Sequence, residues 1–289
     1  MLPLVKKYWL LCGTFALLFL AVFLVNLDYK NSHKGLTFAM LDVGQGDGLF
    51  IESPTGTQIM FDAGSAHKVL GPLSRVMPFY DKEIDAIVIT NPDADHIGGF
   101  LDILKSYKVG LVLEPGTIND SKTFQNLKSE IKKQKIPDIL AKKGMRLHLG
   151  GGAVIEILFP DRDVSLWDAN DGSIIARLSY GDTSVMLTGD ATKKTEEIIL
   201  KNNSKSKLAS TILKVGHHGS RTSTSDEFVK AVAPEYALIS DGKSNNYGHP
   251  HRETLDILGK IGAKILRTDL SGTVIVKSDG SVLRWQYAR

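Results

Sequence analysis

The sequence predicts a mixed α/β domain in which two sheets lie face to face with helices outside, preceded by one N-terminal transmembrane helix. Short strand patterns recur in meanders in both halves of the chain, with helical patterns between them, and this succession is typical of a layered sandwich. The 289 residues are 43% hydrophobic and 23% charged, which suits one large globular domain or at most two. The N-terminal segment differs in kind, because it contains a long uncharged run.

That run, residues 8–27, has no charged side chain. An α-helix needs about 20 apolar residues to cross the hydrocarbon core, and Lys6 and Lys7 just before the run favour a cytoplasmic N-terminus. A cleaved secretory signal is the alternative, although its apolar region is usually only about 7 to 15 residues long. We therefore expect a single-pass protein of the cell membrane with four parts: a short basic cytoplasmic end (1–7), a transmembrane anchor (8–27), a linker (28–35) and an extracytoplasmic domain (36–289).

Cysteine usage and charge limit the chemistry of the globular part. Cys12, the only cysteine, lies within the apolar run. The domain therefore has no disulfide partner and no thiolate ligand, so any metal must be held by His, Asp, Glu or Asn. The net charge of +3 is too small to prove a nucleic-acid partner, although it permits one.

Turn and cap residues mark the elements of the first half. The segment Ser53-Pro54-Thr55-Gly56 has the composition of a hairpin turn between two strands. Ser121 precedes an amphipathic pattern and is its expected N-cap. Residues 65–80 are predicted to be helical or irregular. Strands are expected at 36–43, 49–52, 58–61, 84–90 and 111–114, and helices at 100–107 and 121–135.

The second half repeats this alternation. Asp226 and Glu227 lie in the first turn of a predicted helix, where the helix dipole favours acidic side chains. Thr273 to Val276 and Val282 to Trp285 are expected to form a final hairpin. Strands are expected at 145–149, 153–159, 173–180, 184–187, 209–215 and 236–240, and helices at 193–201, 225–232 and 252–261.

Polar residues collect in loops next to the predicted strand ends. The richest loop is TNPDADHIGG at 90–99, which holds Asp93, Asp95 and His96. By itself this loop could be an Asx-rich turn before a helix. Loops at one edge of a rigid sheet commonly form sites, however, and mixed imidazole and carboxylate ligands suit divalent ions. The whole set therefore predicts a metal or catalytic site, and its other members are Asp42, Asp47, Asp62, Asp190, His217, His218, Asp241 and His249.

Six ordered motifs carry a resemblance to a known family. The chain resembles the metallo-β-lactamase fold and, more closely, the C-terminal hydrolase domain of the competence DNA-internalisation (ComEC) family. The resemblance covers residues 37–276 and implies a four-layer αββα sandwich with a metal centre at one edge of the sheets. The motifs are DVGQGD, FDAGS, NPDADHIGG, LTGD, LKVGHHGSRTSTS and NNYGHP.

The resemblance also implies roles for individual residues. One metal site is implied at Asp95, His96, Asp190 and His217, and a second at Asn91, Asp93 and the shared Asp190. Catalytic roles are implied for Asp93, Asp95 and His249. Contacts with the substrate are expected from His218, Ser220, Lys214, Arg221 and His249. Structural support for the site is expected from Asp62, Asp42 and Asp47.

Two positions depart from the usual pattern of the fold. The first ligand position is usually histidine in the family and is Asn91 here, while the intermediate histidine of the fold falls on Asn170, as it does in the family. The second site is thus an oxygen-only set, which suits manganese or magnesium better than zinc. The expected cofactor is one or two divalent ions, zinc or manganese, with magnesium as a further candidate.

The implied activity is hydrolysis by a metal-bound hydroxide. The first hypothesis is a membrane-anchored phosphodiesterase or nuclease related to competence DNA uptake, with DNA or another phosphodiester as substrate. A metallohydrolase of a small-molecule or envelope ester is the second, because fold does not fix function. The third is a binding module weakened in catalysis by Asn91. The basic stretch from Lys122 to Arg146 either follows a nucleic-acid backbone or is a solvated helix face.

Overall fold

The N-terminal helix stands apart from the globular domain in the sequence and in its exposure. The computed structural model describes residues 2–32, 35–243 and 245–289. Helix α1 (Leu2–Ser32) covers the predicted anchor and the first part of the predicted linker, whose residues 33 and 34 lie outside the described residues. Within the described ranges, no helix combines the length and apolar character that crossing a membrane requires. The transmembrane helix is therefore not confirmed and stays a prediction.

Seventeen strands form in the described part of the globular domain. Those of the first half are β1 (Leu36–Met40), β2 (Gly48–Glu52), β3 (Gln58–Ala63), β4 (Glu83–Ile84), β5 (Ala86–Val88), β6 (Lys108–Val109), β7 (Val112–Glu114) and β8 (Asp138–Leu140). Those of the second half are β9 (Arg146–Gly150), β10 (Ala153–Phe159), β11 (Ile175–Tyr180), β12 (Thr183–Leu187), β13 (Ile212–Lys214), β14 (Tyr236–Ile239), β15 (Lys264–Arg267), β16 (Thr273–Ser278) and β17 (Leu283–Ala288).

Two large sheets result, one from each half of the chain. The first has eight strands in the order β17-β16-β1-β2-β3-β5-β7-β8, and the second has seven in the order β15-β14-β13-β12-β11-β10-β9. The final hairpin, β16 and β17, crosses over to pair with β1 in the first sheet. In each sheet an antiparallel meander passes into parallel strands, from β3 to β8 and from β12 to β15. Strands β4 and β6 form a separate small pair.

Helices cover the outer faces of both sheets. Those beside the first sheet are α2 (Leu70–Leu73), α3 (Ala94–Ile97), α4 (Phe100–Ser106) and α5 (Lys122–Gln134). The later helices are α6 (Lys193–Asn202), α7 (Lys205–Leu208), α8 (Asp226–Val232), α9 (Arg252–Lys260) and α10 (Thr268–Ser271), with a 3₁₀ turn at Gly216–Gly219. The predicted N-cap of α5 is confirmed, because the Ser121 hydroxyl accepts a hydrogen bond from the Phe124 N–H at 3.2 Å.

Three apolar clusters hold the layers together. The central cluster lies between the sheets and includes Phe38 and Phe61 from the first sheet and Ile155 from the second. A second cluster joins the first sheet to its helices, and a third, around Phe228, joins the second sheet to α6, α8 and α9. These clusters account for four layers in the order helix, sheet, sheet, helix. The predicted αββα sandwich is therefore confirmed.

The parallel strands place one set of loops at a common edge. Parallel neighbours carry their C-terminal ends to the same side of a sheet. The loops after β12, β13 and β14 therefore lie at one edge of the second sheet. The loop after β5 lies at the adjoining edge of the first sheet, because His96 in this region contacts Asp190 after β12. The short loop between β1 and β2 reaches the same place, since the backbone N–H of Gly64 bonds to the carbonyl of Asp47 at 2.6 Å. Ser240, at the end of β14, donates its hydroxyl to the carbonyl of Gly46 at 2.7 Å. This edge carries most of the polar residues selected from the sequence.

Candidate metal centre

His96 lies at the centre of the candidate site. It is in the one-turn helix α3, directly after the loop that follows β5, and it is fully buried. Its Nδ1 atom lies 2.8 Å from Asp62 Oδ2, and its Nε2 atom lies 3.1 Å from Asp190 Oδ2. The ring is therefore held at Nδ1 by a carboxylate of the first sheet, while Nε2 points toward a carboxylate that follows a strand of the second sheet.

Asp62 braces the loop that carries His96. Its Oδ1 atom accepts the Thr90 N–H at 2.8 Å, and its Oδ2 atom accepts the Thr90 hydroxyl at 2.5 Å as well as lying against the imidazole. Asp62 has a φ of 54°, an uncommon backbone conformation for a residue with a side chain. A carboxylate behind a ligand imidazole fixes its orientation and tautomer. The geometry thus matches the supporting role expected of Asp62.

The second half supplies Asp190 and the paired histidines. His217 and His218 both adopt positive φ angles, 48° and 54°, in the 3₁₀ turn. This backbone directs the two rings differently. The ring of His218 is buried, with Nδ1 3.1 Å from the Ser240 carbonyl oxygen and Nε2 3.4 Å from Asp190 Oδ2. His217 keeps 23% of its side chain exposed, and its Nε2 lies 3.7 Å from Asp190 Oδ2.

His218, not His217, belongs to the tightest groups of potential ligands. Among the described residues, three groups have ligand atoms within 4.8 Å of one another, and they are Asp95 with His96 and His218, Asp47 with Asp62 and His96, and Asp47 with Asp190 and His218. The resemblance had implied His217 as the metal ligand and His218 as a contact with the substrate. The structure brings His217 only to the margin of the cluster, although its own role remains a prediction.

Several buried atoms in this cluster lack a hydrogen bond. They include His96 Nε2 and His218 Nε2, each with almost no exposed surface. These two nitrogens lie 3.1 and 3.4 Å from Asp190 Oδ2, and because buried polar atoms are nearly always satisfied, we expect them to share a partner. Imidazole nitrogens and carboxylate oxygens are the donor set of zinc and other borderline divalent ions. The residues present therefore suit a divalent cation.

Electrostatics in the cluster favours positive charge. Burial opposes protonation of His96, but the carboxylates of Asp190 and Asp62 outweigh it and raise the His96 pKa well above its ordinary value. Burial likewise opposes protonation of His218, and Asp190 and Asp47 raise its pKa well above the ordinary value. The pKa of Asp190 moves well below its usual range despite burial, because His218 and His96 stabilise the carboxylate. A metal ion can replace these imidazole protons as the balancing charge.

Lys214 corrects an expectation from the sequence. It was expected to contact the substrate, but its side chain is fully buried beneath the site. Its ammonium pairs with Asp47 and donates to the carbonyl of Gly189 at 2.9 Å. An ammonium enclosed in this way cannot reach a substrate, so Lys214 supports the site from below. Asp47 is correspondingly held as a carboxylate: burial raises its pKa, but Lys214 and His218 more than offset this and lower it.

The oxygen-only group around Asn91 is arranged differently from the expected ligand set. Asn91 is fully buried, and its side chain bonds to the N–H of Asp93 at 2.8 Å and to the side chain of Asn170 at 2.7 Å. Asp93 is half-buried, and its Oδ1 atom accepts the Asn119 amide at 3.2 Å. Burial raises the pKa of the Asp93 carboxyl. Asp93 is not a member of the tight groups around His96.

The residues expected to meet the substrate surround the mouth of the cluster. The ring of His249 lies 5.6 Å from that of His217 and 6.3 Å from that of His218, measured between centroids. Burial, His218 and His217 lower the pKa of His249 to about 4, so this imidazole is neutral at pH 7. Arg221 is exposed, whereas Ser220 is buried with its hydroxyl 2.9 Å from that of Thr222.

Two remaining positions complete the comparison with the sequence. The Asp42 N–H donates to the Thr273 hydroxyl at 3.0 Å, and Asp42 joins none of the tight groups among the described residues. Asp95 does join them: its Oδ2 atom lies 3.6 Å from His218 Nε2. The interactions that sequence reasoning missed are Asn119 with Asp93 and Lys214 with Asp47. Each joins distant segments, and no local signal in the sequence marks them.

Comparison with known proteins places the chain in a family. The sequence profile of the Metallo-beta-lactamase superfamily matches residues 41–240. The chain belongs to this superfamily. Within it, the chain is 32% identical over 259 residues to ComE operon protein 3 of Bacillus subtilis (strain 168), covering 81% of this chain and 32% of that protein. It is 31% identical over 254 residues to Recombination protein 2 of Haemophilus influenzae, covering 86% of this chain and 30% of that protein.

The chain is also 30% identical over 237 residues to Competence protein ComA of Neisseria gonorrhoeae, covering 81% of this chain and 31% of that protein, so the resemblance to competence proteins is confirmed. The chain spans about a third of the length of these relatives. Solved structures confirm the superfamily fold. CmlA, a diiron beta-hydroxylase from Streptomyces venezuelae, has a TM-score of 0.56 and 14% identity, covering 84% of this chain and 54% of that chain. Zn(2+)-bound PqqB from Methylobacterium extorquens has a TM-score of 0.52 and 11% identity, covering 80% and 97%. These likenesses establish the fold alone.

Proposed function

We propose that this metallo-β-lactamase superfamily protein is a metal-dependent phosphodiesterase that hydrolyses DNA in the context of DNA uptake. The observation that carries the proposal is the convergence of His96 and His218 on Asp190, from both halves of the chain, with buried imidazole nitrogens that lack hydrogen bonds. Similarity to proteins named for competence and recombination supports DNA as the substrate class.

The chemistry of the site follows from its ligands and their neighbours. A divalent ion held by Asp95, His96, Asp190 and His218 would supply a water of lowered pKa and a positive charge for a phosphoryl oxygen. Asp93 lies at the margin of the cluster, and the raised pKa of its carboxyl suits a proton acceptor. His249 is neutral at the mouth, because its pKa is about 4, and it can donate a ring N–H to a substrate oxygen.

Positive side chains near the edge offer a path for a polyanion. A cavity of about 730 Å³ lies beside the loops that follow β7, β8 and β10, and its lining includes Lys142, Lys143 and Arg162 together with Asp161 and Asp163. Exposed Arg221 follows the paired histidines, three residues after His218 in the chain. Phosphate contacts of this kind give affinity without sequence preference.

Some lysines in the basic stretch from Lys122 to Arg146 form ion pairs with carboxylates of the protein itself. Lys128 pairs with Glu114 and Asp138, and Lys133 lies 3.0 Å from Glu130. These pairs are typical of a solvated helix face. The proposed path therefore uses the lysines after β8 and not those on α5.

Divalent-dependent cleavage tests the proposal. The purified full chain is incubated with single-stranded and double-stranded DNA and with a small phosphodiester in the presence of Mn²⁺, Mg²⁺ or Zn²⁺. We expect cleavage that EDTA abolishes and that is lost in His96→Ala, with Asp42→Asn as the control that keeps activity. Cleavage of a carboxylic ester alone would favour the alternative ester hydrolase. Binding of DNA without cleavage of any substrate would favour the binding module.

We also propose that residues 8–27 anchor the protein in the cell membrane with the catalytic domain outside the cytoplasm. The support is the uncharged run behind Lys6 and Lys7. Apolar side chains on α1, among them Trp9 and Phe15, are exposed. We expect the full chain to resist alkaline carbonate extraction from membranes and a chain starting at residue 36 to be released. Equal extraction of both would contradict the anchor.

A further inference from the structure

A pair of asparagine side chains, one buried and one half-buried, lies where the second metal position was expected. The Nδ2 atom of Asn91 donates to Oδ1 of Asn170 at 2.7 Å. The Oδ1 atom of Asn91 accepts the N–H of Asp93 at 2.8 Å. Asn91 follows β5 in the first sheet, and Asn170 precedes β11 in the second, so the pair links loops from both halves of the sandwich.

A backbone group fixes the orientation of both amides. The N–H of Asp93 can only donate, so the atom of Asn91 that faces it must be the oxygen. The NH₂ group of Asn91 then faces Asn170, whose facing atom must in turn be an oxygen. Reversing either amide would place two donors or two acceptors against each other inside the protein, which is unfavourable for buried groups.

This orientation leaves poor ligands at the second position. An amide NH₂ group has no lone pair for a cation, and each amide oxygen already uses one of its two lone pairs in a hydrogen bond within the pair and its loop. The Asp93 carboxylate is tied on one oxygen to Asn119. Around His96 the situation is the reverse, because His96 Nε2 and His218 Nε2 are buried without hydrogen bonds.

We propose that the centre binds one divalent ion per chain, and that the Asn91–Asn170 pair replaces the second ion as the link between the two loops. This inference rests on the proposed function, and it states how many ions the metal centre of that function binds. The retained ion belongs to the group around His96 and His218. The amide pair holds the loop after β5 against the loop before β11 by hydrogen bonds that need no cation.

Metal content separates this arrangement from a two-metal centre. The full chain is equilibrated with Mn²⁺ or Zn²⁺, freed of excess ion by gel filtration and analysed by plasma mass spectrometry. We expect one ion in the wild-type chain and none in His96→Ala. Asn91→Ala should still bind one ion, with a lower melting temperature, because it removes a link and not a ligand. Asn91→His combined with Asn170→His should bind two.

The outcomes distinguish this inference from the proposed function. Two ions in the wild-type chain would overturn the single-ion centre, and loss of the ion in Asn91→Ala would overturn the assignment of Asn91 as a link and not a ligand. Either result would leave the hydrolase standing. A double variant that still binds one ion would overturn the assignment of the pair to the second position. No ion in the wild-type chain would overturn both proposals. Should Asn91→Ala fail to fold, Asn170→Ala, at a half-buried position, carries the same expectation of one ion.

Discussion

At the residue scale, the site depends on which ring nitrogen of each histidine is held by a neighbouring oxygen atom. Asp62 engages His96 Nδ1 and the Ser240 carbonyl engages His218 Nδ1, so both Nε2 atoms are directed into the cluster. The sequence predicted Asp62, Asp95 and His96, because their loops directly follow strands. The resemblance implied His217 as the metal ligand, but the two adjacent residues have similar positive φ angles and point their rings to different sides, which the sequence does not reveal.

Replacing Asp62 tests the brace behind His96. In Asp62→Asn the amide cannot accept from both Thr90 and His96 as the carboxylate does, so the imidazole loses its fixed orientation. Supporting groups of this kind typically contribute about 10- to 100-fold to metal affinity. We expect a loss in that range for Mn²⁺ or Zn²⁺, measured by competition with a chelating dye. Asp42→Asn is the control, and equal affinity in the two variants would contradict the role of Asp62.

A second prediction at this scale concerns pH. Burial raises the pKa of Asp241 to about 6, above its ordinary value of 3.8. The folded state therefore binds this proton more tightly than the unfolded state, and the resulting stabilisation is complete below pH 3.8 and lost as pH rises through about 6. Metal-free Asp241→Asn lacks this titration. Between pH 5 and pH 7.5, urea unfolding should show a larger loss of stability in the wild-type protein, and parallel profiles would refute the assignment.

At the scale of elements, buried side chains hold the loops that the strands deliver. Glu196 on α6 is buried, and its carboxylate accepts the N–H groups of Thr224 and Ser225 at 2.5 and 2.8 Å. These bonds fix the segment that follows the paired histidines, just before α8. The sequence predicted both helices and their first turns, but it gave no sign that Glu196 on one would bind the start of the other.

Truncating Glu196 measures this link. Glu196→Ala leaves two N–H donors without their partner, the buried one of Thr224 and the half-buried one of Ser225, and each costs about 1 to 3 kcal/mol. We expect the free energy of unfolding of the metal-free protein to fall by about 2 to 6 kcal/mol in urea titrations. Glu197→Ala, the exposed neighbour in the same helix, should change it by less than about 0.5 kcal/mol. Equal effects would show that Glu196 does not brace the segment.

At the scale of the whole molecule, the two sheets could be predicted and their contacts could not. Alternating strand patterns and turn residues predicted β1 to β3 and β9 to β12, with boundaries within a few residues of those observed. The short strands β6, β8 and β15 were missed, because two to four residues are too few for a periodic pattern. Pairs such as Asn91 with Asn170 depend on the approach of distant segments, which local patterns do not encode.

Because both halves supply ligands, metal binding should stabilise the whole sandwich. A ligand at 100 times its dissociation constant adds about 2.7 kcal/mol to the folded state. Calorimetry should therefore show a melting temperature that rises with Mn²⁺ or Zn²⁺ concentration and falls on EDTA treatment. In His96→Ala, which lacks a central ligand, the melting temperature should no longer respond to the ion. A response equal to that of the wild-type protein would place the stabilising ion elsewhere.

The central claim is that one divalent ion is held between the two sheets by His96, His218, Asp95 and Asp190. Anomalous diffraction at the manganese absorption edge, from crystals of the Mn²⁺-loaded protein, locates the ion directly. We expect a single anomalous peak within coordination distance of His96 Nε2 and His218 Nε2. A peak at Asn91 and Asp93, or no peak at this edge of the sheets, would contradict it.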